Sequence, residues 1–282
     1  MTTVPDLMAD VILTSHASQA ADAERNGAEF AGPEHISILG VPVSLVTVTS
    51  ATQRILGWVK SRDAGRYVCV RDVHGVMLAQ DDGALLKAHR DADMVTPDGM
   101  PLAFIARRRH PGMVGRTCGA DLFAELLREG LPAGTRHFFF GGKPGVAEEL
   151  ARIAVTRNPG LIVAGTATPP FGPLSLEEDA ALTRRVADAA PDIVWVGLST
   201  PKQELWMADH RQSLPGAVLI GVGAVFDFYI GAVRRAPLWA SNAGLEWLFR
   251  LASEPRRLWR RYLILAPRFV LRVALERRRG KR

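Results

Sequence analysis

Ile193-Val194-Trp195-Val196-Gly197-Leu198-Ser199-Thr200-Pro201-Lys202-Gln203-Glu204 carries the pattern that decides the fold. Its four leading apolar residues read as a short buried strand. A turn rich in Gly, Ser and Thr follows. A helix then starts near Pro201, because proline at a first helical position gives up an N–H that has no partner there anyway. Such a strand–loop–helix unit turns unpaired backbone N–H groups and a positive dipole end toward whatever sits above the sheet. An anionic ligand such as a diphosphate suits that place. The same spacing also suits an ordinary parallel-sheet crossover with a polar first turn.

Outward from this stretch, strand-like and helix-like segments alternate. Strands are expected at Tyr67–Val70, Met94-Val95, Thr135–Phe140, Leu161–Ala164 and Ala217–Gly223, with helices at Ala51–Ser61, from Val73, from Pro101, from Val146 and at Leu176–Ala189. Alternation of this kind predicts an α/β fold: a Rossmann-like parallel sheet with helices on both faces. Ile36–Val43 reads as strand and turn, and 1–35 as a mobile N-terminal extension without apolar period. The core is expected over 36–237, and 238–282 as a helical, Arg-rich C-terminal appendage. In that appendage Leu258, Tyr262, Leu265, Phe269 and Val273 form one apolar stripe, with Arg257, Arg261, Arg268 and Arg272 on the adjacent one, and Pro267 should kink or divide the helix.

Charge is distributed unevenly. Glu254–Arg282 holds ten Arg and one Lys against two Glu, a net +9, while the other 253 residues hold 24 basic against 27 acidic residues, a net −3. A basic amphipathic end points to an anionic surface. A membrane fits better than nucleic acid, since no nucleic-acid reading module is recognisable and the aromatics recur at buried-face spacing. Packing against the body or a partner subunit is the other use for such a stripe, and a homo-oligomer is left open. Cys69 and Cys118 fit no metal spacing or disulfide framework, which implies a reduced cytoplasmic setting. No signal peptide is expected, and the nearest approach to a spanning run, Ala217–Val233, contains Asp227.

Several polar residues fall where ligands bind in α/β sheets. Asp98 follows Val95-Thr96-Pro97 at a strand end and precedes Gly99. It can act as a general base or as an N-cap for the helix at Pro101. Asp72 and His74 lie in the loop after Tyr67–Val70. Thr117 and Asp121 sit at a helix start, and Arg107-Arg108-Arg109-His110 at a helix end, where cations suit the dipole. Gly141-Gly142-Lys143-Pro144-Gly145 is a Gly-rich turn without the Ser or Thr of a phosphate-binding P-loop. Gly221–Phe226 lacks the last small residue of a dinucleotide fingerprint. Gly223 permits close approach of backbone or ligand, and Asp227 needs a partner in its apolar run. Asp91-Ala92-Asp93 ends a helix and is a poor context for a metal pair, so neither a metal nor another cofactor is expected.

Taken together, Thr96–Pro101, Cys118–Leu122, Phe140–Gly145, Gly197–Glu204, Gly221–Phe228, Arg235-Ala236-Pro237 and Gly244–Tyr262 resemble the WecG/TagA/CpsF family of bacterial glycosyltransferases. The resemblance implies inverting, metal-independent transfer from a UDP-sugar to a polyprenyl-diphosphate-linked acceptor, and the basic end places the enzyme at the inner face of the cell membrane. It implies Asp98 as the base. Asp72, Gly141, Gly142, Gly197, Pro201, Lys202, Gln203, Glu204, Gly223 and Asp227 would serve the donor. His74, Thr117, Asp121, Arg256, Arg257, Arg260 and Arg261 would serve the acceptor or the diphosphate. Family members commonly carry Asn where this chain has Asp72, which an ionised Asp cannot imitate as a donor of hydrogen bonds. A nicotinamide-dependent oxidoreductase on the same sheet is the alternative reading.

Overall fold

A computed structural model describes residues 32–62, 65–234, 236–237, 240 and 244–279, without the side chains of Arg257, Arg277 and Arg279. Nearly all of the expected N-terminal extension, with Arg235 and the side chain of Arg257, therefore lies outside the described residues. In chain order come β1 (His35–Ile38), β2 (Val41–Ser44), α1 (Val48–Ser61), β3 (Arg66–Arg71), α2 (Val73–Leu78), α3 (Gly83–Arg90), β4 (Met94–Pro97), α4 (Met100–Arg109) and α5 (Gly119–Glu129). They continue with β5 (Arg136–Gly141), α6 (Val146–Arg157), β6 (Ile162–Ala167), α7 (Leu176–Asp188), β7 (Ile193–Gly197), α8 (Lys202–His210), β8 (Val218–Gly221) and α9 (Val225–Tyr229). The chain ends in α10 (Glu246–Ser253), α11 (Pro255–Trp259), a π-helical stretch Arg260–Leu265 and α12 (Ala266–Arg279).

Six strands form one sheet in the order β4-β3-β8-β7-β5-β6, each pair parallel. β1 and β2 make a separate antiparallel hairpin. Its two turn residues, Leu39 and Gly40, both have positive φ, of 51° and 78°, as the tight primed turns that match strand twist require.

Phe138-Phe139-Phe140 shows why the sheet is covered on both faces. Consecutive strand residues point to opposite sides, so Phe139 packs with Phe123 of α5 at 6.1 Å while Phe140 stacks on Trp206 of α8 at 4.3 Å. All three are fully buried, as are Trp58, Tyr67 and Trp195. A strand apolar on every residue is the signature of a parallel sheet between two helical layers.

The apolar stripe at the C-terminal end faces this body. Leu258, Phe269 and Val273 are buried, and Phe269 and Val273 join the same core cluster as Tyr67, Val76 and Met77. The helical winding changes next to Pro267, from π to α, without ending the run. No described helix is long and apolar enough to cross a membrane.

Candidate active site

Because the strands are parallel, the carboxyl ends of β3, β4, β7 and β8 share one rim of the sheet. A cavity of 520 Å³ opens there, lined by Arg71 and Asp72 after β3, Asp98 after β4, Ser199, Thr200 and Gln203 after β7, and Gly223 and Ala224 after β8. The N-terminus of α5 contributes Cys118, Gly119 and Ala120, and the last helices close the top with Glu246, Arg250, Leu258, Arg260 and Arg261. Beside it runs a more apolar groove of 430 Å³, walled by Met100 and Pro101 on one side and Trp247, Tyr262, Pro267 and Val270 on the other. Asp72, His74, Asp98, Arg250 and Arg261 border both spaces.

Asp98 is held by its backbone. Its N–H donates to the Arg71 carbonyl at 2.8 Å, and its own carbonyl accepts from Arg116 Nε at 2.8 Å. Gly99, not Asp98, caps α4, with no side-chain hydrogen bond, so the capping alternative drops out. The carboxylate keeps one third of its surface open and lies 3.9 Å from Arg116 Nη2, whose nearer partner is Glu246 Oε2 at 2.6 Å. Burial, with Asp72 and Glu246 adding negative field against Arg116 and Arg261, pushes its pKa up to about 6. That is where a general base works well at neutral pH.

Asp72 differs. Its side chain caps α2 through the Gly75 N–H and pairs with Arg261. Burial works against its charge, but Arg261, Arg71, His74 and the Gly75 hydrogen bond outweigh burial and hold the carboxyl well below the usual range. The His74 pKa is lowered too, with the opposite effect on charge: burial, then Arg261 and Arg71, outweigh the raising effect of Asp72 and favour the neutral imidazole.

Beneath the cavity a buried network fixes its floor. Glu204, fully buried, accepts from Arg71 Nη2 at 2.6 Å and from Gln203 Nε2 at 2.7 Å. The Gln203 side-chain oxygen, Oε1, in turn accepts the Gly223 N–H at 3.0 Å. The ends of β3, β7 and β8 are thereby tied to one carboxylate. Glu204→Gln should lower unfolding free energy by roughly 3–5 kcal/mol, since it leaves the Arg71 guanidinium buried without its counter-charge; equilibrium urea denaturation measures this.

The matching family model, glycosyl transferases of the WecG/TagA/CpsF family, covers residues 36–282. The chain belongs to that family. It is a glycosyltransferase, and the oxidoreductase reading lapses with this finding.

The glycosyltransferase brings only part of the sequence-read set together. Asp72, His74, Asp98, Gln203, Gly223, Arg260 and Arg261 border the cavity; the other candidates sit elsewhere for identifiable reasons. Gly141, Gly142 and Gly197 pack where strands and α9 meet: a Cβ on Gly141 would stand 2.7 Å from the Gly197 backbone, one on Gly142 would touch Val146 and Phe226, and one on Gly197 would touch Phe226. Glu204 lies under the floor. Pro201 is the cap residue of α8, one place before the helix proper, and Lys202 lies over the Phe171 ring instead of the cavity. Thr117 is buried with its hydroxyl toward the Val46 carbonyl, and Asp121 accepts from the Cys118 thiol. Asp227 is half-buried outside the cavity lining, and Arg256 is exposed.

Asp91 and Asp93 belong to the opposite end of the sheet. Asp93 precedes β4 and binds Arg66 and Arg211 at 2.8 and 2.9 Å, and Asp91 pairs with Lys87. Among the described residues no cluster of three His, Cys, Asp or Glu is placed to hold a metal.

Arg71, Arg116, Glu246 and Arg250 are site residues that the sequence reading passed over. The sequence pattern ends a strand at Val70 and leaves Arg71 in the loop, whereas the strand runs to Arg71; Glu246 and Arg250 lie in a helical stretch, Gly244–Tyr262, whose spacing singles out neither. Only the fold shows that they line the same cavity or groove as Asp98.

Proposed function

We propose that this glycosyltransferase moves a sugar from a UDP-sugar to a lipid-diphosphate-linked sugar, with inversion and without a metal, in the synthesis of a bacterial cell-surface polysaccharide. One observation carries the reading: Asp98 stands where a polar, arginine-capped cavity meets an apolar groove. A nucleotide diphosphate suits the first space and a prenyl chain with its sugar the second.

Orphan donors support the anion. Arg250 Nε and Arg261 Nε are buried without a hydrogen-bond partner among the described residues, and such groups call for an acceptor. The Gly119 end of α5 adds backbone N–H groups and a positive dipole end. In the reaction, Asp98 takes the proton of the acceptor hydroxyl as its oxygen bonds to the anomeric carbon. The bond from that carbon to the diphosphate breaks, and UDP leaves with the electron pair. Arg260 and Arg261 stabilise the charge that grows on the leaving oxygen, where preorganised donors count most. Gln203, oriented by Glu204, contacts the donor.

The basic C-terminal end would hold the enzyme on the inner face of the membrane. Trp259, Leu263, Ile264, Val270, Leu271 and Leu275 are exposed on it, beside the stripe that packs inward.

A thermal-shift comparison of UDP, NAD and an RNA oligomer, followed by turnover of UDP-sugars with a short prenyl-diphosphate sugar in EDTA, tests the reading. Stabilisation by UDP alone and EDTA-resistant transfer are the expected results. Full loss on chelation, restored by Mg²⁺ or Mn²⁺, would remove the metal-independent mechanism.

A further inference from the structure

The apolar groove has two walls, and only one belongs to the C-terminal helices. The other is the start of α4. Leu102, Ala103, Ile105 and Ala106 are the buried face of this helix. Its opposite stripe runs Pro101, Phe104, Arg108, at spacings of three and four. Pro101 lines the groove, and one turn further Phe104 stands 56% exposed, with the Arg108 guanidinium 5.7 Å from its ring centre. Met113, in the turn after α4, is 47% exposed.

Charge separates this surface from the rest of the body. Between Asp98 and Asp121 the chain has Arg107, Arg108, Arg109 and Arg116 and no Asp or Glu, although the 253 residues before Glu254 are net acidic. Arg109 turns to the Ser37 carbonyl and Arg116 to Glu246, while Arg107 and Arg108 are exposed beside Phe104. Across the groove, Trp247 and Val270 are also exposed. Apolar tips with arginines behind them suit the boundary between acyl chains and anionic headgroups.

We propose that α4 and the turn to Met113 form a second membrane contact, on the catalytic body itself, in which Phe104 and Met113 enter the interface and Arg107 and Arg108 meet anionic headgroups. Both walls of the groove then rest on the bilayer, and its mouth opens to the lipid. Contact through the C-terminal helices alone would leave the molecule free to tilt the groove away. This inference rests on the reading of a lipid-borne acceptor and extends it to the α/β body.

Co-sedimentation of the full chain with phosphatidylglycerol–phosphatidylcholine vesicles tests it. The double variant Phe104→Asp/Met113→Asp should partition at least about tenfold more weakly than wild type, because two half-exposed apolar side chains are replaced by charges that the anionic surface repels. Its melting temperature should not change, since neither side chain is buried. Unchanged partitioning of this variant, alongside loss in Leu263→Asp/Val270→Asp, would overturn the second contact and leave the membrane reading standing. Failure of the wild type to bind vesicles would remove both. A wild-type oligomer that the α4 variant converts to monomers, with vesicle binding intact, would make this face a subunit interface and also overturn the assignment.

Discussion

Asp98→Asn should fold, bind UDP as the wild type does, and lose about 10²–10⁴-fold in transfer rate. The carboxylate stands at the junction of the two spaces, its backbone fixed by Arg71 and Arg116, and it caps no helix. Loss of rate cannot then be traced to loss of fold. Its pKa is raised from 3.8 to about 6, so ionising it works against the folded state as pH climbs through that interval. An uncharged Asn removes that penalty, and the variant should melt no lower than wild type at pH 8. The base must be deprotonated, so wild-type rate should fall as pH drops through about 6. Two variants should move this limb in opposite directions. Asp72→Asn removes a negative neighbour and should shift it to lower pH; Arg261→Met removes a positive one and should shift it to higher pH. Single-turnover rates across pH measure all three. Near wild-type turnover of Asp98→Asn at saturating substrate would assign the base elsewhere.

The sheet was legible because its strands are short, uninterrupted apolar runs, each followed by a polar turn and a helix. Val194–Val196 and Phe138–Phe140 read as strands because each run is short, rich in β-branched or aromatic residues and followed by a turn that starts with Gly. Asp98, Asp72 and Gln203 were legible for the same reason: residues just past a strand's carboxyl end share one rim of a parallel sheet. What the sequence could not separate was a glycine or acid at that rim from one just beneath it. Gly141 and Gly197 meet each other, and Glu204 meets Arg71, a residue 133 positions away. Such pairings depend on strand order, and β8 between β3 and β7 cannot be read from spacing. The C-terminal stripe shows the same limit. Its period was correct, but a period of 3.6 says only that one face is apolar, not whether protein or lipid covers it; here Phe269 and Val273 face the core.

A chain ending at Glu254 should lose more than about 10³-fold in activity on any acceptor, soluble or lipid-borne. The missing residues include Arg260 and Arg261, and each preorganised donor to a developing anion is worth about 10²–10³. They also include Leu258 and Leu265, which wall the cavity, and the partner of Asp72. Vesicle binding should weaken as well, because the removed residues 255–282 carry ten Arg and one Lys against one Glu, a net +10, and each basic residue near an anionic surface contributes about 1 kcal/mol. Some binding should persist through Phe104, Met113, Arg107 and Arg108, more readily abolished by salt because exposed charges are screened within about 8–10 Å. The truncated body should melt lower than the full chain, since removing Phe269 and Val273 exposes the α2 surface they cover. Arg261→Met in the full chain isolates the chemical part. It keeps the helices and their apolar face, so it should retain vesicle binding and fold while losing rate. Full-length turnover of a soluble acceptor by the truncated protein would reduce the C-terminal helices to an anchor. Full activity of Arg261→Met at every pH would remove the arginine from the leaving-group site and leave it as the tie to Asp72.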